Sequence, residues 1–308
     1  TLPTNEERTA VCCHSSVNLE NFDEWQDDEF FIPDLVRFLD NVITYFIETA
    51  PDALSRAKFS AERERSIGLG AMGFHAYLQK KNIPFESMFA QSTNYTMFRH
   101  IKEQAQFETE ELARERGACP DDKDNRVRNA HLLAVAPNAS SSIICGNTSP
   151  SIEPYRANAF TQKTKTGSSL LKNKYLEQLL NKKDRNTPEI WKSIITNHGS
   201  VQHLDFMNEH EKSIFATAVE IDQRWVVNLA AERQEFICQS QSCNVFFPAD
   251  VSKQELHNVH MMAWKKGMKT LYYLRSEAIK RADNVSDKKL REYIFDYSDE
   301  EGCLACEG

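Results

Sequence analysis

One stretch near the carboxyl end predicts a strand, a helix and a second strand in close succession. The apolar run at residues 242–247 is typical of a buried strand. Ser252 and Glu255 form a capping box that begins a helix, and Gly267 ends it. Residues 268–275 then predict a second buried strand. Two strands joined by a helix lie parallel in one sheet, so we expect an α/β protein.

Three further segments bear on the sheet and its packing. Residues 10–19 alternate apolar and small side chains, and residues 131–136 form a continuous apolar run, so both are predicted strands. Residues 66–75 carry spaced glycines. Because no clear strand precedes them, we interpret these glycines as helix-packing positions rather than as a dinucleotide-binding loop. His75 is predicted to be a hydrogen-bonded structural residue, since no second ligand lies at metal spacing.

Helical periodicity is clear in four other places. Pro33 begins an amphipathic helix that Pro51 ends. Residues 92–116 predict a long helix that stops at a glycine. Residues 187–199 predict a short helix, and residues 211–232 predict a single long one.

Composition excludes several classes of protein. The chain has 308 residues, of which 41% are hydrophobic and 27% charged, as in a globular protein. Its net charge of -8 gives no sign of nucleic-acid binding. No apolar run approaches the roughly 20 residues that a membrane helix needs, and no signal peptide is visible. Eight cysteines in a chain of this length indicate a reducing, cytoplasmic location rather than a disulfide scaffold.

The cysteines include two pairs of interest. Cys12 and Cys13 are adjacent and would point to opposite faces of a strand, so each needs another partner, unless both are simply small buried residues. Cys303 and Cys306 lie in the acidic residues 286–308, which we expect to be a mobile tail. An accessible dithiol can donate two electrons, whereas a zinc site needs four ligands, so no metal site is predicted.

Tyr272 and Tyr273 place two redox-capable phenols within the predicted strand at 268–275. Neighbouring residues of a strand face opposite sides, so both phenols could serve one transfer path only if the strand ends or bends there. A pair of core aromatic residues is the alternative. It is the stronger interpretation when these two residues are considered alone.

The predicted strand at 131–136 runs directly into small and hydroxyl residues. Main-chain N–H groups and serine hydroxyls at the carboxyl end of a buried strand form a common phosphate site in α/β proteins. A serine-rich helix cap explains the same residues about equally well. The residues concerned are Pro137, Asn138, Ala139, Ser140, Ser141 and Ser142.

Taken in order, these motifs resemble those of the large, catalytic subunit of class I ribonucleotide reductase. The resemblance covers a redox-active cysteine segment, the loop that binds the substrate diphosphate, a further family hallmark, the tyrosine pair of the radical path and the C-terminal dithiol. In that order, the matching residues are Cys12 with Ser15, Asn18 and Leu19; Pro137 to Ser142; Ile152, Glu153 and Pro154; Lys269 to Tyr273; and Cys303 with Cys306.

The resemblance implies a fold and a set of missing parts. Residues 1–285 are expected to form the C-terminal half of a ten-stranded α/β barrel, and residues 286–308 its flexible redox tail. The radical-bearing cysteine, the first redox cysteine and the nucleotide-effector sites belong to an N-terminal portion that would precede Thr1. We expect the chain to need that portion as a partner and to be inactive alone. Half a barrel has open edges, which predicts a sticky, poorly stable polypeptide.

The resemblance also implies a mechanism. A thiyl radical abstracts the ribose 3′ hydrogen of a ribonucleotide, while Cys12 and a second cysteine supply two electrons and become a disulfide. Tyr272 and Tyr273 relay the radical from a small subunit that holds the radical or metal centre, so no cofactor is expected in this chain. Cys303 and Cys306 reduce the disulfide and are reduced in turn by thioredoxin or glutaredoxin.

Two rival functions remain alongside this one. The chain could be a noncatalytic subunit-interaction or regulatory remnant that retains the fold. A cobalamin-dependent relative is disfavoured, because a cofactor that makes its radical in place needs no tyrosine relay. The helix at 253–267 is a candidate surface for docking of the small subunit.

Overall fold

The computed structural model describes residue 2 and residues 4–164 and 167–276. Its strands, in chain order, are β1 (Cys13–Asn18), β2 (Ile67–Met72), β3 (Ala159–Thr164), β4 (Gly167–Lys172), β5 (Val245–Phe247) and β6 (Leu274–Ser276). Its helices are α1 (Phe22–Trp25), α2 (Phe31–Thr49), α3 (Ser55–Glu64), α4 (Phe74–Lys80), α5 (Met88–Arg116), α6 (Ala139–Ile144), α7 (Lys174–Lys182), α8 (Pro188–Thr196), α9 (Glu209–Ile214), α10 (Gln223–Gln234) and α11 (Lys253–Lys265).

The centre of the fold is a row of five extended segments that run parallel. β1 pairs along its whole length with β2. β2 is bridged to the segment 131–136, which is bridged in turn to residues 239–242. After a turn at Cys243, this fourth segment continues as β5, and β5 pairs with β6. The predicted unit of two parallel strands joined by a helix is therefore confirmed as β5, α11 and β6.

Helices cover this row and form the main core with it. α2 packs against β1, β2 and α5. The stripe that α2 buries runs through Val36, Leu39 and Ile43 at helical spacing. All residues of β2 are buried, as expected for a strand inside a parallel sheet. A second core forms where α7, α8 and α9 meet, around Leu180 and Trp191.

The glycine-spaced residues 66–75 form β2 and the start of α4, so their interpretation as a helix is wrong. The glycines permit close approach within the sheet. A Cβ atom at Gly70 would lie 2.4 Å from the carbonyl oxygen of Ala134 in the next segment. Gly73 follows the strand with a φ angle of +83°. Because β2 is covered on both faces, its sequence lacks the alternation that identifies a half-buried strand.

His75 is a structural residue, as predicted. Its Nδ1 atom accepts a hydrogen bond from the main-chain N–H of Tyr155 at 2.9 Å. Complete burial lowers the pKa of His75 to about 3, so the ring stays neutral.

Residues 211–232 form two helices, so the prediction of a single helix is wrong. α10 begins only after Asp222, whose side chain caps it. The intervening turn is held by Glu220, which accepts a hydrogen bond from the N–H of Thr217 at 2.7 Å. Ile221 in this turn is as buried as the helical residues around it. The apolar periodicity therefore continues through a segment that is not helical.

The other predicted helices are confirmed with small shifts at their ends. α2 begins two residues before Pro33. α5 begins before residue 92, because Ser87 accepts the N–H of Ala90 and caps it. α8 begins after Thr187, whose side chain caps it, and the Ser252 hydroxyl caps α11.

The predicted strand at 268–275 is shorter and less buried than expected. β6 begins at Leu274, after the two tyrosines. Tyr272 and Tyr273 are 36% and 43% exposed, so the expectation of buried phenols is wrong. The reason is their position: β6 is the last strand of the row, and among the described residues no further strand pairs with it. The predicted tail at 286–308 lies outside the described residues.

Candidate active site

Cys12 lies just before β1 and is partly buried. The side-chain amide of Gln239 donates to its Sγ atom at 3.6 Å. Burial raises the pKa of Cys12 to about 12, a rise that Gln239 opposes and the neighbouring thiols of Cys13 and Cys238 reinforce. Because the thiolate is the reactive form of cysteine, Cys12 is a protonated, weakly nucleophilic thiol near neutral pH.

Cys238 is a cysteine near Cys12 that the sequence analysis did not single out. Its Sγ atom accepts main-chain hydrogen bonds from Leu132 at 3.1 Å and Leu133 at 3.3 Å. Burial opposes ionisation, but the His131 side chain and these two amides lower the pKa of Cys238 to about 7. No local motif marks this cysteine, since its donors lie more than a hundred residues earlier in the chain.

The candidate phosphate loop, residues 137–142, joins the third extended segment to α6. Asn138 occupies the N-cap position with a φ angle of +55°, and its side chain makes no capping hydrogen bond. The serines lie inside the helix, so the serine-cap interpretation is wrong. Ser142 is buried and donates to the carbonyl oxygen of Ala139 at 3.1 Å. Ser140 is exposed and available to a ligand.

A side-chain contact joins this loop to the strand of the redox cysteine. The hydroxyl of Ser16 in β1 donates to Oδ1 of Asn138 at 3.2 Å. Ser16 lies four positions after Cys12 on the same extended segment. Cys12 and the candidate phosphate loop therefore lie on the same side of the candidate active site. Pro137 and Ser141 complete the loop and are both partly exposed.

The two tyrosines form a contacting pair. Their ring centroids are 4.1 Å apart, with an angle of 51° between the planes. The main chain holds both residues against the fourth segment, since the N–H of Tyr272 donates to Cys243 at 2.9 Å and Val245 donates to the carbonyl of Tyr273 at 3.0 Å. Regular strand structure starts only after them. The condition that the strand must end or bend at this point is therefore met.

The tyrosine pair and Cys12 lie at opposite ends of the row. Cys12 precedes the first segment, and the tyrosines lie on the fifth. With neighbouring strands about 4.8 Å apart, four spacings separate them by roughly 19 Å along the sheet. They can face one another only across the concave side of a curved, barrel-like sheet.

A family comparison agrees with this arrangement. A model described as "Ribonucleotide reductase, barrel domain" matches residues 1–126 and 121–274. The match therefore extends from the first residue through both tyrosines. This chain belongs to the ribonucleotide reductase family.

Two viral proteins named ribonucleoside-diphosphate reductase large subunit are similar to nearly all of the chain. The protein of Invertebrate iridescent virus 6 is 50% identical over 293 residues, which are 94% of this chain and 31% of the relative. The protein of Invertebrate iridescent virus 3 is 46% identical over an alignment of 310 residues, and the match covers 100% of this chain and 49% of the relative. The chain thus spans a third to a half of these curated relatives.

A solved reductase structure supports the same assignment. The alpha subunit of the Actinobacillus ureae class Id ribonucleotide reductase matches with a TM-score of 0.84 and 39% identity. The match covers 90% of this chain and 52% of that one. The predicted fold, part of the α/β barrel of a reductase large subunit, is therefore confirmed.

The described residues contain neither a cluster suited to hold a metal ion nor a helix suited to cross a membrane. In the described part of this reductase chain, no group of three or more His, Cys, Asp or Glu side chains is placed to hold a metal ion. Across residue 2 and residues 4–164 and 167–276, no helix combines the length and apolar character needed to cross a bilayer. Cys303 and Cys306, the predicted dithiol, lie outside the described residues.

Proposed function

We propose that this chain is the C-terminal part of the catalytic barrel of a ribonucleoside-diphosphate reductase, and that the whole subunit reduces ribonucleotides by a radical mechanism. One observation carries the proposal. A single row of parallel segments holds a protonated thiol at Cys12, the loop at residues 137–142 in contact with Ser16 on the same segment, and the contacting pair Tyr272 and Tyr273 at its far end.

In this proposal each group has one task. The exposed hydroxyl of Ser140 and the first amides of α6 bind the substrate diphosphate. Tyr272 and Tyr273 carry the radical to a cysteine supplied by the N-terminal portion, where it removes the 3′ hydrogen of the ribose. The 2′ hydroxyl leaves as water. Cys12 and a second cysteine from that portion give two electrons and two protons and form a disulfide.

The proposed reaction needs partner proteins, because the residues of this chain cannot complete it alone. A small subunit generates the radical, and the N-terminal portion supplies the radical cysteine, the second redox cysteine and the effector sites. Within residues 286–308, Cys303 and Cys306 reduce the disulfide and pass on the electrons that they receive from thioredoxin or glutaredoxin. All described cysteines are free thiols, which supports a reducing, cytoplasmic location.

The test is reconstitution from separate parts. The 308-residue chain is combined with the N-terminal portion of a large subunit, a small subunit and thioredoxin, and reduction of a ribonucleoside diphosphate is measured. We expect activity from the mixture and none when the N-terminal portion is omitted. Cys12→Ser should abolish turnover, whereas the matched variant Cys13→Ser should retain most of it.

Replacement of Tyr273 by Phe separates an enzyme from a noncatalytic remnant, because Phe keeps the packing but cannot form a tyrosyl radical. Activity of the assembled enzyme should fall to background. The matched variant Tyr45→Phe, at an exposed tyrosine on α2, should change nothing. Equal activity of the Tyr273 and Tyr45 variants would support the remnant.

A further inference from the structure

A buried carboxyl group lies behind the tyrosine pair. Glu153 is only 2% exposed, in the loop between α6 and β3. The main-chain N–H of Asn244 donates to its Oε1 atom at 3.3 Å. The Asn244 side chain also favours the ionised form of the carboxyl group.

Asn244 connects this carboxyl group to Tyr273. Its Oδ1 atom accepts the main-chain N–H of Tyr273 at 2.9 Å. Asn244 is thus held by Glu153 at its main-chain N–H and by Tyr273 at its side-chain oxygen. The hydrogen bonds therefore run in sequence from the buried carboxylate, through one asparagine, to the backbone of the second tyrosine.

The charges around Glu153 come from several elements. Arg156 from its own loop and Arg275 from β6 both favour the carboxylate. The Arg275 guanidinium also lies 5.0 Å from the centre of the Tyr273 ring. Cys243 faces Glu153, and the buried Arg233 of α10 faces Cys243.

Burial nevertheless dominates and raises the pKa of Glu153 to about 7, against the opposing effects of Arg156, Asn244 and Arg275. Burial also raises the pKa of Cys243 to about 12, so this thiol stays protonated and adds no charge near neutral pH. Glu153 therefore changes charge within the physiological range.

We propose that Glu153 is a positioning residue for the tyrosine pair: its carboxylate holds the main chain of Asn244, the Asn244 side chain holds the Tyr273 backbone, and protonation of the carboxylate releases both. The proton comes from solvent, and no covalent bond forms. The structural part stands on these contacts alone. Only its consequence for radical transfer rests on the proposed function.

The structural part is tested without turnover. 3-Fluorotyrosine is placed at position 273, and its ¹⁹F chemical shift is followed from about pH 5.5 to about pH 8.5 in the assembled large subunit. We expect a titration step with its midpoint near 7. Glu153→Gln should remove the step, and Glu20→Gln, at another buried carboxyl group, should retain it.

Asn244→Ala supplies the second variant, so the test does not depend on the folding of one protein. It should also remove the step at Tyr273, because the connecting amide is gone. An absent step in the unmodified protein would overturn the proposal, as would a step that persists in either variant.

The consequence for turnover is measured separately. Only about a tenth of the carboxyl groups are ionised one pH unit below the pKa, so the rate should fall up to about tenfold between pH 8 and pH 6. Glu153→Gln should remove this limb of the pH profile. A ¹⁹F step in an enzyme without any turnover would refute the proposed function and leave the positioning role intact.

Discussion

Cys12 and Cys238 are two thiols whose surroundings shift their pKa values in opposite directions. Both lose solvation on burial, which favours the neutral form. Cys12 receives one side-chain hydrogen bond, at 3.6 Å. Cys238 receives two main-chain hydrogen bonds, and these together with the nearby His131 side chain outweigh the effect of burial on its pKa. The number of donors around the sulfur therefore decides which thiol ionises near neutral pH.

This difference predicts selective alkylation. At pH 7 about half of the Cys238 side chains should be thiolate, against about a hundredth of a percent or less for Cys12. Iodoacetamide should label Cys238 with a rate that rises through a midpoint near pH 7, as measured by mass spectrometry of the peptides. Cys12 should remain unlabelled until strongly alkaline pH.

His131→Ala is the informative variant for this site. Loss of the imidazole should move the midpoint for Cys238 upward, toward the ordinary cysteine range. Labelling of the exposed Cys145 serves as the reference, because it shows that the reagent is active and that the variant is folded. A Cys238 profile identical in the two proteins would show that the imidazole does not contribute.

At the scale of single elements, β2 depends on a close approach of two backbones. Gly70→Ala should destabilise the protein, because the new Cβ atom would meet the carbonyl oxygen of Ala134. Overpacking typically lowers the free energy of unfolding by about 1–3 kcal/mol. The reduced flexibility of the unfolded chain offsets about 0.4–1 kcal/mol of this loss. Urea unfolding of the assembled subunit, with activity as a second signal, measures the net loss.

Gly68→Ala is the matched control on the same strand. Its Cβ atom would meet the side chain of His14, 2.6 Å away, which can turn aside more easily than a main-chain carbonyl. The loss of unfolding free energy should therefore be smaller than for Gly70→Ala. A larger loss for Gly68→Ala than for Gly70→Ala would mean that the backbone near Gly68 shifts instead of the His14 side chain.

α11 is the element that we propose for docking of the small subunit. Trp264 is 71% exposed on it, beside a surface cavity of about 420 Å³. The cavity is lined by His257, Asn258, Met261, Met262, Lys265 and Lys266. An exposed tryptophan and half-buried methionines next to lysine suit an apolar segment that ends in carboxylates.

Trp264→Ala should therefore weaken binding of the small subunit by about 2 kcal/mol or more, roughly thirtyfold in Kd. Titration calorimetry with the assembled large subunit measures this change. Phe38→Ala, at an exposed aromatic residue on α2, is the control and should leave Kd unchanged. Equal affinities for the two variants would exclude α11 as the docking element.

At the scale of the whole molecule, the sheet is open at both ends of its row. Within the described residues β1 pairs only with β2, and β6 only with β5. Unpaired strand edges and half-covered aromatic residues favour association. The chain spans a third to a half of its curated relatives, so residues from the remainder of the subunit are the natural cover for both edges.

We therefore expect the isolated chain to aggregate and to melt over a broad range. Addition of the N-terminal portion should raise the midpoint and sharpen the transition, since binding to the folded state alone stabilises it. Calorimetry and light scattering measure both effects. A sharp single transition of a monomeric chain without any partner would contradict this expectation.

Local rules in the sequence were enough to determine several elements and the order of the motifs. Caps such as Thr187 and Ser252, and the unit of β5, α11 and β6, depend on residues within one helix or one turn. The candidate roles of Cys12, Tyr272 and Tyr273 came from the resemblance of their motifs to those of a known family, since the residues alone favoured small buried thiols and core aromatics.

Only the tertiary structure decided what depends on residues far apart in the chain. β2 is covered on both faces by distant segments, so its sequence shows no strand alternation. The donors to Cys238, the contact of Ser16 with Asn138 and the path from Glu153 to Tyr273 all join distant segments. The exposure of the tyrosines follows from which strand is last in the row, a property of the whole sheet.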